Sequence, residues 1–371
     1  MRTTLDGSPD PVLRPAPDPV PGRVPVRVGR VSGVWRPRSV AVLLAGCAVL
    51  VLAMAVNIGR GEFPISIGEV LAVLTGGGEA SQQFIVLELR LPRSLTGALV
   101  GAALGVSGAI LQAIARNPLA SPDIIGITAG AGAAAVTVIV LGGSFGAIGG
   151  LGSAVGLPLA ALLGGLLTAG AIYGLAWRKG IQGFRLVLVG IGINAILFAT
   201  INWLLVVAQV YEAARAQVWL NGSLNARGWE HVVPVGIALA VLVPAALVLA
   251  HLLGGLQFGD DTAQGLGIRV DAGRTALLLV AVGLAAVATA SAGPIAFVAL
   301  VAPQIAQRLV GAARPPIAAS LVLGAALTVV ADLIARTAFG GTELPVGVVT
   351  AVLGAPYLLY LLARQGREAR A

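Results

Sequence analysis

Charged residues are scarce in this chain of 371 residues. Lys, Arg, Asp and Glu together make up 11% of it, whereas a soluble domain carries about 25%. Hydrophobic residues make up 57%, and the mean hydropathy is +0.94. Apolar runs of roughly 20 residues recur, each long enough to cross about 30 Å of hydrocarbon as a helix. The composition therefore excludes a soluble globular class and predicts an all-α polytopic membrane protein. In this class the net charge of +8 is explained by loop arginines and does not indicate nucleic acid.

Residues that carry reaction chemistry are equally few. Cys47 is the single cysteine, which excludes an internal disulfide. Lys179 is the single lysine and lies in WRKGI, so the chain lacks the GxxxxGK[ST] loop that grips nucleotide phosphates. His231 and His251 lie at opposite ends of one apolar run with no cluster of carboxylates or cysteines beside them. We therefore expect no catalytic residue, no metal ligand and no cofactor in this chain.

The N-terminal segment differs from the rest. Residues 1–38 contain eight of the 21 prolines and seven arginines, and they include no apolar run. Such a segment cannot bury enough surface to fold, and it lacks the apolar stretch and cleavage site of a signal peptide. We predict a disordered, Pro/Arg-rich cytoplasmic tail at 1–38, followed by a transmembrane domain at 39–365.

Apolar runs, and the residues that interrupt them, predict ten membrane spans. Many begin where a proline would occupy the first helical turn, a position at which the missing N–H costs nothing. Three further prolines fall inside spans and predict kinks: Pro244, Pro303 and Pro356. The predicted spans are 39–58, 92–114, 122–141, 157–177, 184–207, 231–253, 273–291, 294–311, 315–335 and 345–363. The prolines at predicted starts are Pro92, Pro122, Pro158, Pro294, Pro315 and Pro345.

The distribution of basic residues predicts the orientation. With a cytoplasmic N-terminus, the inner segments hold 18 of the 24 basic residues and the outer segments hold six. Cytoplasmic loops of membrane proteins carry the excess of Lys and Arg. We therefore expect both termini, and the loop 254–272, to face the cytoplasm.

That loop contains a compact polar stretch, GDDTAQGLGIRV, between two apolar spans. Asp260 and Asp261 suit the positive start of a short helix, and Gly267 suits its left-handed end. Ala263 and Leu266 give it one small apolar face. A helix of two turns is not stable alone in water, so the stretch predicts either a handle for another subunit or an ordinary capped connector.

Intramembrane acids often mark ion or proton pathways, and Asp332 is the main candidate here. Arg336 follows four residues later, which favours a local ion pair on one helix face. A proton-coupling role remains the alternative, although it has no second acid to act with. Separately, Gly97, Gly101 and Gly105 form one small face that favours close helix packing within the subunit over lining a pathway.

Several blocks of the sequence resemble the FecCD family, the permeases of iron-siderophore and vitamin B12 ABC importers. The resemblance covers about residues 39–365, and within the family it is greatest to the ferric-enterobactin permease branch. The blocks that carry it, in chain order, are LRLPRSLTGALVGAALGVSGAILQAIARNPLASPDIIGITAGA (89–131), AWRKGIQGFRLVLVGIGINA (176–195), WLNGSL (219–224), GDDTAQGLGI (259–268), ATASAGPIAFVALVAPQIAQRLVG (288–311) and ELPVGVVTAVLGAPYLLYLL (343–362).

The resemblance implies a type II ABC importer permease fold with about ten transmembrane helices. It implies two permease subunits in the cytoplasmic membrane, a different pair being expected over two copies. ATP would be bound and hydrolysed by partner ATPase subunits, and a siderophore-binding protein would dock outside. It further implies an ATPase-coupling segment formed by Gly259, Asp260, Asp261, Thr262, Ala263, Leu266 and Gly267.

Two further sites are hypotheses. The outer arginines Arg60, Arg90, Arg93 and Arg336 are candidates for docking the binding protein, since rim charges steer association; solvated loop charges are the alternative. The turn Arg116, Asn117 and Pro118 is a candidate for gating, the alternative being an ordinary positive cytoplasmic loop.

The expected function is import of a ferric siderophore, of catecholate type, by alternating access. Vitamin B12 or haem import remains open within the family. A gradient-driven secondary transporter and a structural or sensory membrane subunit are the alternatives from other classes.

Overall fold

The computed structural model describes residues 24–28, 31–61, 63–145, 153–177, 183–256, 259–265, 267, 269–338 and 343–368. Across these residues the regular secondary structure is helical apart from one antiparallel hairpin of β1 (Val24–Val28) and β2 (Val31–Trp35). The helices are α1 (Pro37–Gly59), α2 (Ile67–Leu74), α3 (Ala80–Gln83), a π-helical segment (Phe84–Arg90), α4 (Leu91–Ala115), α5 (Pro122–Ile125), α6 (Ile127–Phe145), α7 (Ser153–Ala176), α8 (Gly183–Val207), α9 (Val210–Leu220), α10 (Trp229–Leu256), α11 (Asp260–Gly265), α12 (Val270–Ala292), α13 (Val298–Val310), α14 (Ile317–Thr337) and α15 (Val346–Glu368).

The all-helical membrane fold predicted from the sequence is confirmed. By length and composition, seven helical stretches within the described residues can cross a membrane, and three shorter apolar helices accompany them. Each of the ten corresponds to one predicted span. The three shorter ones are parts of α6 and α15 and the whole of α13.

Helix α4 lies at the centre of the bundle. It packs against α10, α12, α13 and α14, and most of its side chains are buried. A Cβ at Gly101 would overlap the carbonyl of Gly324 and the hydroxyl of Thr328, and one at Gly105 would overlap the carbonyl of Ser320. Small residues drive such contacts because burying apolar surface gains little in lipid. The predicted packing role of this glycine face within the subunit is confirmed.

Helix α13 begins later than the sequence suggested. The span was expected to start at Pro294, but residues 293–297 are not helical and the helix starts at Val298. Gly293 and Phe297 both have positive φ, 73° and 66°, which an α-helix does not accommodate. Thirteen residues span only about 20 Å, so α13 is too short to cross the hydrocarbon core alone. Its first turn lies against α4 at Gly108, whose Cβ would overlap Ala299.

The start of α6 differs for a similar reason. Pro122 begins the one-turn helix α5, capped by Ser121, and Gly126 ends that turn with φ 100°. The long helix starts only at Ile127. Pro158, also expected in a first turn, lies inside α7. Irregular backbone of this kind is tolerated at membrane depth only where protein surrounds it.

The prediction of a wholly disordered tail at 1–38 is wrong for ten of its residues. Strand β1 pairs with β2 in register from Val24 with Trp35 to Val28 with Val31. Both strands are rich in valine, whose branched side chain favours extended backbone. The tail also ends two residues early, since α1 starts at Pro37. Residues 1–23 lie outside the described residues.

Two helices outside the predicted spans, α2 and α9, were not predicted. Helix α2 buries Val70 and Val73 and exposes its other apolar side chains. Helix α9 follows α8 after a short break and buries Trp219. Both start with a reciprocal capping box, Ser66 with Glu69 and Gln209 with Glu212, a pattern that marks helix starts in sequence.

We predict that Gly101→Ala destabilises the bundle by about 2 kcal/mol, because a Cβ there forces α4 and α14 apart. The matched control is Gly170→Ala, where an added Cβ meets nothing within 4 Å. Thermal unfolding of the detergent-solubilised protein measures both. Equal melting temperatures for the two variants would show that the α4–α14 contact does not limit stability.

Candidate functional site

The polar stretch of the loop 254–272 forms a short helix, α11. Gly259 precedes it with φ 100°, and Gly267 follows it with φ 80° while donating its N–H to the carbonyl of Gln264. Ala263 is fully buried, as expected for the apolar face. Asp261 and Thr262 are exposed, and Leu266 lies outside the described residues. The predicted short helix is therefore present, with a glycine of positive φ before it and another after it.

Asp260, the first residue of α11, is held by two arginines. Its Oδ1 lies 2.9 Å from Nη2 of Arg274 in α12 and 3.0 Å from Nη2 of Arg116 at the end of α4. The hydrogen bonds from Arg274, together with the charges of both arginines, hold the pKa of Asp260 below its usual range. The carboxylate therefore stays ionised at neutral pH, and the contact keeps its full charge there.

The turn 116–118 thus lies beside α11, which sequence spacing did not indicate. Arg116 ends α4 in the left-handed conformation with φ 50°. The side chain of Asn117 accepts the backbone N–H of Leu119 at 2.9 Å and closes the turn. Pro118 borders a cavity of about 740 Å³ between the ends of α4, α13 and α15. The two cytoplasmic sites predicted separately form one surface.

The contacts of Asp260 can transmit a movement of α11 to the helices of the bundle. Asp260 joins α11 to the C-terminal end of α4 and to the N-terminal part of α12, and those two helices pack against each other. A displacement of α11 by a bound partner would therefore pull on the central helices. Such charge contacts are short-range and directional, so they set the position of α11 as well as its attachment.

A second polar cluster lies at the opposite end of α4. Nη2 of Arg93 lies 2.9 Å from Oδ1 of Asp332 in α14, and its Nη1 lies 2.9 Å from Oε2 of Glu343. Asn57 of α1 donates to Asp332 at 3.0 Å and to Ser94 at 3.2 Å. Asp332 is 1% exposed. The cluster fastens α1, α4, α14 and the segment before α15 to one another.

The expected pair between Asp332 and Arg336 is wrong. Asp332 is bound by Arg93 from another helix, whereas Arg336 donates to the backbone and side chain of Asn57 and lies 3.5 Å from Glu343. The spacing of four residues allows a local pair, but the bidentate geometry available from α4 satisfies the buried carboxylate better.

The four outer arginines differ in accessibility. Arg90 and Arg93 are buried, and Arg90 donates to the carbonyls of Ile58 and Phe63 at 2.8 and 2.6 Å. Arg336 is half-buried and also donates to the carbonyl of Arg60. Arg60 is exposed. In this arrangement Arg60 offers its guanidinium outward, and the other three make contacts inside the subunit.

One polar residue of the interior was missed as a candidate. Asp123, in the first turn of α5, accepts hydrogen bonds from the side chain of Thr128 and from the backbone N–H of Phe297. It therefore joins the starts of α6 and α13. The signal was available, because Asp123 is an acid inside the predicted span 122–141, and acids in spans are rare and functional by default.

Among the described residues, no group of three or more His, Cys, Asp or Glu side chains lies close enough together to hold a metal ion.

Comparison with known proteins supplies the context for these sites. The FecCD transport family matches residues 49–364. The chain is 42% identical to the ferric enterobactin transport system permease protein FepG of Escherichia coli (strain K12), over 88% of this chain and 98% of that protein. It is 45% identical to the achromobactin transport system permease protein CbrC of Dickeya dadantii (strain 3937), over 85% and 90%. A solved metal-chelate type ABC transporter in an inward-facing conformation superposes with a TM-score of 0.76 at 26% identity, over 87% of this chain and 99% of that one.

We predict that Asp332→Asn lowers the free energy of unfolding by about 3 kcal/mol, because it removes the buried negative charge that Arg93 is paired with. Glu343→Gln is the matched control at a side chain 42% exposed, where the loss should be below about 1 kcal/mol. Denaturation of the purified protein in detergent compares them. A larger loss at Glu343 would place the main restraint on Arg93 outside the bundle.

Proposed function

This chain belongs to the FecCD transport family, and from that premise we propose that it is the permease subunit of an ABC importer that moves a ferric siderophore across the cytoplasmic membrane. Relatives named for ferric enterobactin and for achromobactin transport match it over nearly their whole length. The siderophore keeps the iron chelated, so the permease needs no metal ligand of its own.

Among siderophores, we propose a catecholate. The relative named for ferric enterobactin is covered over 98% of its length, and the sequence blocks at 89–131 and 259–268 resemble that branch. The relative named for achromobactin is 45% identical, so identity alone favours neither ligand. Ferric chelates of other chemical types are the alternative substrates, and the uptake test below distinguishes them.

Transport proceeds by alternating access, driven through α11. The chain has no lysine in a phosphate-binding loop, so ATP is bound and hydrolysed by a partner ATPase. Residues 259–267 seat in that ATPase as the coupling segment. The contacts of Asp260 with Arg116 and Arg274 are the observation that supports this role most directly, because they connect the segment to the central helices. The turn 116–118 moves with them and acts in gating.

The remaining partners follow from the same assignment. A second permease subunit, a different homologue rather than a second copy, completes the membrane part. Both termini face the cytoplasm, in keeping with the excess of basic residues on that side. A siderophore-binding protein docks on the opposite face, where the exposed Arg60 is the first contact. Three further arginines lie beneath it: Arg90, Arg93 and Arg336. They join the contact if they exchange their partners inside the subunit for groups of the binding protein.

A gradient-driven transporter is disfavoured by the surroundings of Asp332. That carboxylate is 1% exposed and is held by Arg93 and Asn57, so it joins helices within the bundle. Acids of a proton pathway line a water-filled cavity or a relay, whereas Asp332 is enclosed by these contacts.

We predict that Asp260→Asn lowers siderophore uptake about fivefold, since a half-exposed ion pair contributes on the order of 1 kcal/mol. Asp260→Lys should abolish uptake, because it sets a third positive charge beside Arg116 and Arg274. The matched control is Asp271→Asn, an exposed acid in the first turn of α12.

Uptake is measured in cells with equal membrane levels of each variant, and co-purification of the ATPase is measured from the same cells. Undiminished uptake and ATPase association in Asp260→Lys would refute the coupling role of α11.

We further predict that cells relying on this permease accumulate radiolabelled iron from ferric enterobactin in preference to ferric hydroxamates and ferric citrate. Vitamin B12 and haem serve as parallel substrates, and the Asp260→Lys variant gives the background. Uptake confined to a hydroxamate or to citrate would reject the catecholate assignment but retain the importer. Uptake of vitamin B12 or haem alone would reject the siderophore assignment.

A further inference from the structure

The cavity beside the turn 116–118 is unusually basic. It has a volume of about 740 Å³, and its walls come from α4, α13, α15 and the segment 311–315. Arg116, Arg308 and Arg314 line it, and the guanidinium of Arg38 lies at its edge beside Gly311. None of its described lining residues is acidic. Four arginines from separate parts of the chain therefore converge on one cavity.

Arg116 is paired with Asp260, but within the part of the chain that the structure describes no carboxylate forms an ion pair with Arg38, Arg308 or Arg314. Arg38 donates to the carbonyls of Leu309 and Arg308, and Arg314 donates to the carbonyl of Ala250 at 3.0 Å. These acceptors are neutral carbonyl groups, which do not cancel the positive charge of the arginines. Burial, together with the neighbouring charge of Arg36, lowers the pKa of Arg314. The effect of Arg36 shows that a further positive charge lies near Arg314.

Arg308 is placed differently, against aromatic rings. Its guanidinium lies 5.6 Å from the ring centre of Tyr357 and 5.7 Å from that of Tyr360. Such contacts hold the side chain in place without cancelling its charge. Arg308 is exposed, so its N–H groups remain accessible from the cavity.

The surroundings place this cavity at the boundary between hydrocarbon and water. Leu309 and Tyr360, on either side of Arg308, are 47% and 52% exposed, and Tyr is enriched at membrane interfaces. Arg38 lies in the first turn of α1, and Arg314 lies just before α14. The basic groups therefore lie at the level where lipid headgroups end and the apolar surface begins.

We propose that this cavity binds the phosphate of an anionic lipid headgroup from the cytoplasmic leaflet, with Arg308 and Arg314 as its main donors. The inference rests on the orientation given in the proposed function. Basic pockets between transmembrane helices on the cytoplasmic side suit such headgroups, and the fork of an arginine matches the oxygens of a phosphate. The cavity also has room for a headgroup, and the exposed apolar residues beside it would contact the acyl chains.

The test is native mass spectrometry of the full-length protein, incubated with phosphatidylglycerol and phosphatidylcholine in competition. Wild type should retain phosphatidylglycerol in preference. Arg308→Gln and Arg314→Gln should each reduce that preference about fivefold, in line with the contribution of one arginine near a membrane surface. Arg215→Gln is the charge-matched control, since Arg215 is exposed in α9 on the outer side.

Three outcomes would overturn the proposal. Equal loss of preference in Arg215→Gln would show that net charge and not the cavity selects the lipid. Displacement of the lipid by inorganic phosphate at comparable concentration would identify a soluble anion as the ligand. Loss of the bound lipid on reconstitution with the ATPase would assign the cavity to acidic side chains of that partner. Lipid retention is measured without siderophore or ATP, so its failure leaves the transport assignment standing.

Discussion

Helix α4 approaches α14 so closely at Gly101 and Gly324 that neither position has room for a Cβ. In lipid, where burying an apolar side chain gains little, this backbone contact supplies the packing that a hydrophobic core supplies in water. It sets α4 as the axis around which α10, α12 and α13 are arranged. The irregular segment 293–297 lies within this assembly, where protein surrounds its backbone.

Helix α4 also connects the two polar ends of the molecule. Near its N-terminal end Arg93 binds Asp332 and Glu343, and at its C-terminal end Arg116 binds Asp260. Twenty-five helical residues span about 37 Å, which is enough to traverse the hydrocarbon core. A single helix therefore links the face proposed to receive a binding protein to the face proposed to receive an ATPase. The glycine contacts along its length keep it from tilting independently of α14.

The sequence allowed the spans, the glycine face and the capped helix α11 to be predicted, because each depends on residues that are near one another in the chain. The length of an apolar run predicts a membrane span without knowledge of the helices that it packs against. The glycines around Asp260 and Asp261 predict a short helix. The partner of Asp332 could not be predicted in this way, because Arg93 lies 239 residues away and spacing identifies only neighbours on one helix. The late start of α13 was missed because Pro294 suits a helix start locally. The positive φ of Phe297, by contrast, depends on its tertiary surroundings.

The short length of α13 has a consequence for how the protein evolves. A helix that crosses the whole bilayer tolerates many apolar substitutions on its lipid face, since any apolar side chain is compatible with the acyl chains. Helix α13 begins inside the protein, and its first turn is fixed by Ala299 against Gly108 and by the hydrogen bond from Gln112 to the carbonyl of Leu300. Each change there must be matched by a second change in α4. Sequence drift in this half of the molecule should therefore be slow and occur in pairs, while α8 and α10 remain free to diverge.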